Sequence, residues 1–438
     1  MQRYPSYPVS TNIYTRRFAG VPKKFENNLM TYLEHGQKDF AVGGGHSRYG
    51  LRSAFGRLGY NYGNRYIAMF SARYDGSSRF AEGNKWGFFP SASLAWNIAN
   101  ERFWEPLSST VSTFKFRLSY GALGNQGIGN YQYIPTLSSA TNSLNYPFAG
   151  LNDISLGYAI TSLPSLNIKW ESTYTSNIGI DLGFLGGKLQ MSADAYLKDT
   201  RDMLSTKEIS SSTGFSAMIV NDGQLKTSGF EYQVEYHGNS GRDFQYDLDL
   251  NLSHYRSKLV SMSNPDYLYE YGPARTYVGA EIGEFWVFQT DGLFRSQAEV
   301  DEFNKTHGHP DESGAWIPLQ PSARPGDIRF VDQNGDGQLD NDDKVLVGTG
   351  NPKLILGFNA YLRYKAFDLS AQFYGNMGAK RYNYTKYQLQ RMDQVFMART
   401  PWILGGRTIP TLTSPGLSSA TRTATTGFQT VSLKMVTS

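Results

Sequence analysis

The stretch "NIGIDLGFLGGKLQMSADAYLKDT", Asn177 to Thr200, decides how this chain folds. Ile178, Ile180, Leu182 and Phe184 are separated by Gly179, Asp181 and Gly183. After "LGGK", Leu189, Met191, Ala193, Ala195 and Leu197 are separated by Gln190, Ser192, Asp194 and Tyr196. A period of two is the signature of a strand with one apolar and one polar face. Two such runs joined by a short Gly-Gly connection predict a β-hairpin.

The same pattern spreads in both directions. Phe114, Phe116, Leu118 and Tyr120 alternate with Lys115, Arg117 and Ser119. Phe230, Tyr232, Val234 and Tyr236 alternate with Glu231, Gln233 and Glu235, and Phe244 to Leu252 repeats the alternation. Leu356 to Tyr364 turns through "KA" into Phe367, Leu369, Ala371 and Phe373, and "GRLGYNYGNRYIAMFSARYDG" predicts a hairpin about Gly63-Asn64. The reading gives roughly a dozen strands of about 9–15 residues, where soluble strands average about 5–6 and membrane barrel strands need about 9–11. Helical periodicity is nearly absent; the short "SQAEVDEFNK" lies in a long loop.

Composition narrows the class. Charged residues are 18% and aromatics 14%, with 30 Tyr and 26 Phe. The chain has no cysteine, which excludes a disulfide scaffold and any Cys-ligated metal. A net charge of +4 over 438 residues, without a basic stripe, argues against nucleic acid. No apolar run reaches the length of a membrane-spanning helix. The negative mean hydropathy does not exclude a barrel, whose apolar residues sit at alternate positions. "MQRYPSYPVSTN" lacks the apolar segment of a signal peptide, leaving a cytoplasmic protein or a Met1 that is not the natural start.

Local alternation does not say which face is wet. In a soluble sandwich the apolar face packs a core; in a membrane barrel it meets lipid. The long strands, their aromatic ends, and connections that switch between very short and very long (about 123–172 and 295–350) favour an antiparallel transmembrane β-barrel with long extracellular loops.

Several longer motifs carry a resemblance. "YDGSSRFAEGNKWGFFPSASLAWNI", "LSYGALGNQGIGNYQY", "KWESTYTSNIGIDLGFLGGKLQMSADAYLKDTRDML", "SGFEYQVEY", "GEFWVFQTDGLF" and "PGDIRFVDQNGDGQLDNDDKVLVGTGNPKLILGFN" occur in this order over most of residues 50–375. Together they resemble the SusC/RagA-type TonB-dependent outer-membrane transporters. The resemblance implies a barrel of about 22 strands, plugged by an N-terminal domain. It also implies import of oligosaccharides or peptides with TonB-coupled energy, beneath a SusD-like surface lipoprotein. Against that pattern the plug, the TonB-contacting segment and the early strands are missing, so the barrel is expected to be incomplete. Residues 1–50 are expected to be a loop or partial strand, 51–378 the barrel segment with a calcium-loop-like insertion at 325–348, and 379–438 a loop with an atypical tail. Shifting the frame of "FQTVSLKMVTS" permits a family-like "RFVEDGDF", so the tail is expected to be out of frame after about Pro415. An open sheet cannot span lipid, because each orphan backbone group costs several kcal/mol. The isolated chain is therefore expected not to transport alone. A self-closed passive porin, a soluble calcium-dependent carbohydrate-binding β-sandwich, and a transporter completed from adjacent reading frames are the alternatives.

"DQNGDGQLDNDD" matches a twelve-residue calcium loop. Asp332, Asn334, Asp336, the Gln338 carbonyl, Asp340 and Asp343 fall at the ligand positions, with Gly337 at the turn. Asp at the twelfth position replaces the usual bidentate Glu, and the flanks read as strands, not helices. A plain Asp/Asn/Gly-rich turn has the same composition. Trp86, Tyr131, Tyr133 and Trp286 are candidate substrate-stacking aromatics, against a packing or girdle role for each. Asp75 and Arg79 of "YDGSSRF" read as loop chemistry. Asp247 and Asp249 share a face, as any barrel strand arranges. No catalytic residues are assigned: the six histidines are scattered, and "VGGGHSRYG" precedes a strand, not a phosphate-binding helix.

Overall fold

The computed structural model describes residues 9–16, 45–138, 159–240, 243–385, 387, 427–428 and 434–437. Contacts divide the chain into two units, Met1–His237 with Val260–Ser263, and Gly238–Leu259 with Asn264–Ser438.

The first unit is built on long antiparallel strands: β1 (Val9–Arg16), β2 (Gly45–Tyr62), β3 (Tyr66–Ser77), β4 (Trp86–Asn97) and β5 (Val111–Asn125). Small strands β6 (Thr136–Ser138) and β7 (Ala159–Ser162) pair with each other in the next loop. Then come β8 (Glu171–Phe184), β9 (Leu189–Arg201), the loop hairpin β10 (Leu204–Glu208) and β11 (Ala217–Asn221), and β12 (Gln224–Ser240). The wall runs in the order β1-β2-β3-β4-β5-β8-β9-β12.

Register puts the apolar residues on one side throughout. Leu58 faces Phe70, Leu94 faces Leu118, Leu118 faces Ile178, and Ala195 faces Phe230. Successive Cβ atoms point to opposite faces, so a one-residue slip anywhere would mix the two. These side chains are not covered by a second sheet. Tyr60 is 65% exposed, Phe88 60% and Leu118 47%. An apolar face of this extent is far larger than water-soluble surfaces carry, which removes the β-sandwich alternative and leaves hydrocarbon as the solvent of this face.

The predicted turns are in place. Gly63 and Asn64 both adopt left-handed backbone, with φ of 55° and 53°, and the Arg65 amide donates to the Tyr62 carbonyl at 3.0 Å. That is a two-residue turn whose twist suits a hairpin. "LGGK" closes β8 onto β9, with Phe184 opposite Leu189. The connection 98–110 departs from a tight turn: two 3-10 segments, Ile98–Asn100 and Arg102–Leu107, fill it.

Inside the unit, on the side away from the exposed apolar face, Phe80, Phe89, Ile128, Ile168 and Trp170 form the buried cluster. Trp170 meets Phe80 at 5.3 Å and Phe89 edge-on at 5.5 Å. Glycines make the room: a Cβ on Gly124 would lie 2.1 Å from the Phe89 ring, and one on Gly87 2.5 Å.

The second unit starts from β13 (Phe244–Ser261). A loop follows, bearing β14 (Leu268–Tyr271), β15 (Ala274–Tyr277), β16 (Glu284–Phe288), β17 (Thr290–Leu293), helix α1 (Gln297–Thr306), β18 (Gly308–Pro310), β19 (Trp316–Pro318), β20 (Ile328–Phe330) and β21 (Lys344–Thr349). β22 (Leu354–Tyr364) and β23 (Phe367–Met377) complete it. β22 pairs with both β13 and β23, placing Leu250 opposite Phe358 and Phe358 opposite Phe373. Two short strands, Gly427–Phe428 and Lys434–Thr437, pair with β23. The rest of the expected atypical tail, most of 1–50 and the middle of the 123–172 connection lie outside the described residues.

The second long connection begins after β13, earlier than the alternation predicts, and it carries structure. β14-β15-β16-β21 form a four-stranded sheet, and β17–β20 and β18–β19 form two smaller pairs. "SQAEVDEFNK" is helical. The Ser296 hydroxyl accepts from the Glu299 amide at 3.3 Å and caps it. Its buried Val300 marks the inward side, and Phe303 meets the buried Phe294 edge-on at 5.3 Å. No helix among the described residues is long and apolar enough to cross a membrane.

Candidate functional site

The polar face of β5, β8 and β9 carries one connected charge network. The Arg117 Nε donates to both Asp181 oxygens at 3.0 and 3.1 Å. Its Nη1 and Nη2 donate to Asp194 at 3.0 and 2.8 Å, and Nη2 also reaches the Ser192 hydroxyl at 3.1 Å. Asn177 donates to Asp194 at 3.0 Å. Arg117 can lie across three strands because Gly179 has no side chain: a Cβ there would be 2.5 Å from Asp194 Oδ1 and 2.8 Å from Arg117 Cζ. A planar guanidinium with five donors suits two carboxylates at once. Lys115, opposite Asp181 on the same face, balances the second carboxylate. In the second unit, Asn251 and Asn359 both donate to Asp249 at 2.9 Å.

At the loop end of the first unit the two glycine-rich motifs lock together. Arg79 of "YDGSSRF" donates to the Asn130 side chain at 2.9 Å and the Gln126 carbonyl at 3.0 Å, and lies 4.3 Å over the Tyr49 ring. Asn130 in turn donates to the Ser47 hydroxyl at 2.7 Å. Asp75 is buried and paired with Arg73 at 3.1 Å. Arg79 is therefore occupied in loop structure, and Asp75 within strand β3.

Beside this latch lies a cleft of about 500 Å³. Three of the four candidate stacking aromatics, Trp86, Tyr131 and Tyr133, line it together. Tyr131 has a left-handed backbone, φ 67°, and its hydroxyl accepts from the Arg48 amide at 2.8 Å. Trp86 stacks on Tyr74 at 4.8 Å with planes 7° apart. Alternation alone missed three cations of the lining, Arg48, Arg52 and Lys85. Two of them, Arg48 and Arg52, share the parity of Leu58 and Tyr60 on β2, and that was the available signal.

Trp286 lies elsewhere, on β16 of the second unit. Its indole donates to Glu284 at 3.3 Å, and Arg275 sits 5.5 Å from its ring. The buried Glu284 also accepts from the Tyr277 hydroxyl at 3.1 Å. Burial, then that hydrogen bond, raises the Tyr277 pKa. The surroundings of Trp286 are those of a packed loop sheet.

The loop Asp332–Asp343 folds into a tight turn. Asp332 accepts from the Gly335 and Gly337 amides at 2.6 and 2.7 Å. Asn334 accepts from Asp336, Asp336 from Gln338, and Asp340 from Asp342, each through a backbone amide. Asp343, fully buried, accepts from the Gln333 and Asp340 amides at 2.7 and 2.9 Å. Gly337 is required: its φ is 78°, and a Cβ would lie 2.2 Å from the Gly308 carbonyl oxygen. All six candidate ligands are thus in one turn. As folded, the five side-chain ligands cap backbone amides of their own loop, and among the described residues no three acidic or imidazole side chains converge on one point.

The family described as "TonB dependent receptor-like, beta-barrel" matches residues 14–385. TonB-dependent receptor P3 of Formosa agariphila is 31% identical over 383 residues, 85% of this chain and 36% of that protein. TonB-dependent receptor SusC of Bacteroides thetaiotaomicron is 31% identical over 326 residues, 73% of this chain and 30% of that protein. The chain therefore spans about a third of the length of these relatives. A solved structure of the RagAB peptide transporter shares the fold, with a TM-score of 0.63 at 20% identity over 89% of this chain and 44% of that one. The lipid-suited face, the long strands and these likenesses agree: the chain belongs to the TonB-dependent receptor-like β-barrel family of the outer membrane, within its SusC/RagA-like branch.

Proposed function

We propose that this chain forms wall and loops of a SusC-like importer that moves oligosaccharides or peptides across the outer membrane. Energy would come from TonB, and a SusD-like lipoprotein would cover the loop side. The observation that carries the reading is the segregation of faces: an apolar contact surface across the middles of the strands on one side, and a polar face bearing Arg117, Asp181 and Asp194 on the other. A polar inner face is what a hydrophilic cargo requires. The family is one of transporters, and no catalytic role is proposed for this chain. The two substrate classes are separated by uptake of fluorescent oligosaccharides and fluorescent peptides into cells with and without the gene. Gene-dependent, protonophore-sensitive uptake of either class supports import; uptake insensitive to the protonophore supports a passive pore instead.

We also propose that the loop Asp332–Asp343 takes a calcium ion that stiffens the long connection around it. Its ligand-position spacing supports this, as does the second lone pair left on each carboxylate oxygen that accepts one amide. Because the loop as folded caps itself, binding would redirect several carboxylates inward. Calcium, and not magnesium, should then slow proteolysis between 295 and 350. Asp336→Ala with Asp340→Ala should abolish the protection, and equal cleavage with and without calcium rejects the site.

A further inference from the structure

We infer that the cleft at the loop end of β2 and β3 binds the phosphate of an outer-leaflet lipid headgroup. The inference rests on which way Arg48, Arg52 and Trp86 of the cleft's rim face. Arg52 is opposite Gly76 on β3, and Gly76 is opposite Trp86 on β4, so the three form one cross-strand row. Their parity is that of Leu58, Phe70 and Phe88, the exposed apolar face. Arg48, four residues before Arg52, has the same parity. This row is therefore on the lipid side of the wall, away from Arg117 and its carboxylates.

The row is also shaped around an aromatic ring. Gly76 has no side chain, and the Trp86 ring covers the position: a Cβ would lie 2.6 Å from it. Trp86 and Tyr74, stacked, make an aromatic shelf where the strands end, and such amphipathic rings collect at the membrane–water boundary. β2 runs on past the last rung of β3, Leu51 opposite Ser77. There the Gly50 amide donates to the Ser78 hydroxyl at 2.8 Å and the Arg48 amide to the Tyr131 hydroxyl. The extension forms the side of the cleft.

Three cations line this space, and none of the described lining residues is acidic; Arg48 and Arg52 have the lipid-side parity, while Lys85, opposite the buried Ser77, has the parity of the inner face. Arg48 and Arg52 are exposed. Cations on a lipid-facing surface are costly in hydrocarbon and favourable only where they reach anionic headgroups. Guanidinium groups pair with phosphate oxygens through parallel hydrogen bonds. A volume of about 500 Å³ is ample for one headgroup. The Arg52–Gly76–Trp86 row leads from the cleft onto the apolar face, where acyl chains would lie. A soluble anion would gain the charge pairing but leave that continuity unused.

The test is titration of the protein in a neutral detergent with phosphatidylglycerol, with phosphatidylcholine, and with sodium phosphate, by native mass spectrometry and tryptophan fluorescence. Phosphatidylglycerol should bind more tightly than phosphatidylcholine by about thirtyfold, as two interfacial cations imply. Arg48→Gln and Arg52→Gln together should erase that preference. Both are exposed, and Arg52→Gln alone should lose about fivefold, so a folding defect in the double variant would not hide the answer. Equal binding of the two lipids, or a preference that survives the double variant, overturns the inference. Free phosphate that competes as well as the lipid overturns it too, because the site would then serve a soluble anion.

Discussion

Single residues set conditions that can be checked one at a time. Glu101, in the connection after β4, accepts from the Tyr66 hydroxyl, the Trp96 indole at 3.1 Å and Arg65 at 3.3 Å. The Tyr66 hydrogen bond, first, and the Trp96 one hold its carboxyl below the ordinary carboxylate range. A carboxylate with a depressed folded-state pKa contributes stability above its unfolded pKa and loses it as pH falls through the folded value. The thermal midpoint should therefore drop on acidification below the usual Glu range, and Glu101→Gln should flatten that part of the curve. At Gly124 the strain is steric. Gly124→Ala would drive a methyl into the Phe89 ring and should cost about 1–3 kcal/mol, while Phe89→Ala should cost about 3–5 kcal/mol by opening a cavity against Trp170. Denaturation of the detergent-solubilised protein measures both. These contacts were hidden in the sequence because Phe89 and Trp170 are distant along the chain and follow no local period.

Elements were legible where a single period governs them. Ile178 to Leu197 and Leu356 to Phe373 alternate without interruption, and their hairpins have the predicted partners and turns. Short strands of the long connection were not legible: β14 to β16 have four or five residues each, too few for alternation to register. Their pairing depends on β21, far along the chain. The site was half legible. Trp86, Tyr131 and Tyr133 were found as aromatics in turn-rich motifs, and the structure gathers them; Trp286 shares their composition and sits in a different sheet. The Arg117 network is an element-level device, since it ties β5, β8 and β9 on the polar face. Removing the guanidinium leaves two carboxylates facing each other. Arg117→Met should cost about 2 kcal/mol, moderated by its partial exposure to water. Adding Asp194→Asn should recover part of that loss, a coupling that a double-mutant cycle isolates.

For the whole molecule, one proposition organises the rest: the apolar side of the wall touches hydrocarbon and the charged side faces water. The absence of cysteine allows a direct measurement without background labelling. Single cysteines would be placed on the apolar face, Leu118→Cys, Ile180→Cys and Phe230→Cys, and on the polar face, Ser119→Cys, Asp181→Cys and Glu231→Cys. Each would be expressed in outer membranes, treated with a charged, water-soluble maleimide, and separately labelled with a fluorophore and exposed to a lipid-dissolved quencher. The account predicts strict alternation: even positions closed to the aqueous reagent and quenched from lipid, and odd neighbours such as Ser119 and Asp181 the reverse. Uniform aqueous reactivity along β5, β8 and β12, or quenching of the polar positions in place of the apolar ones, would contradict it.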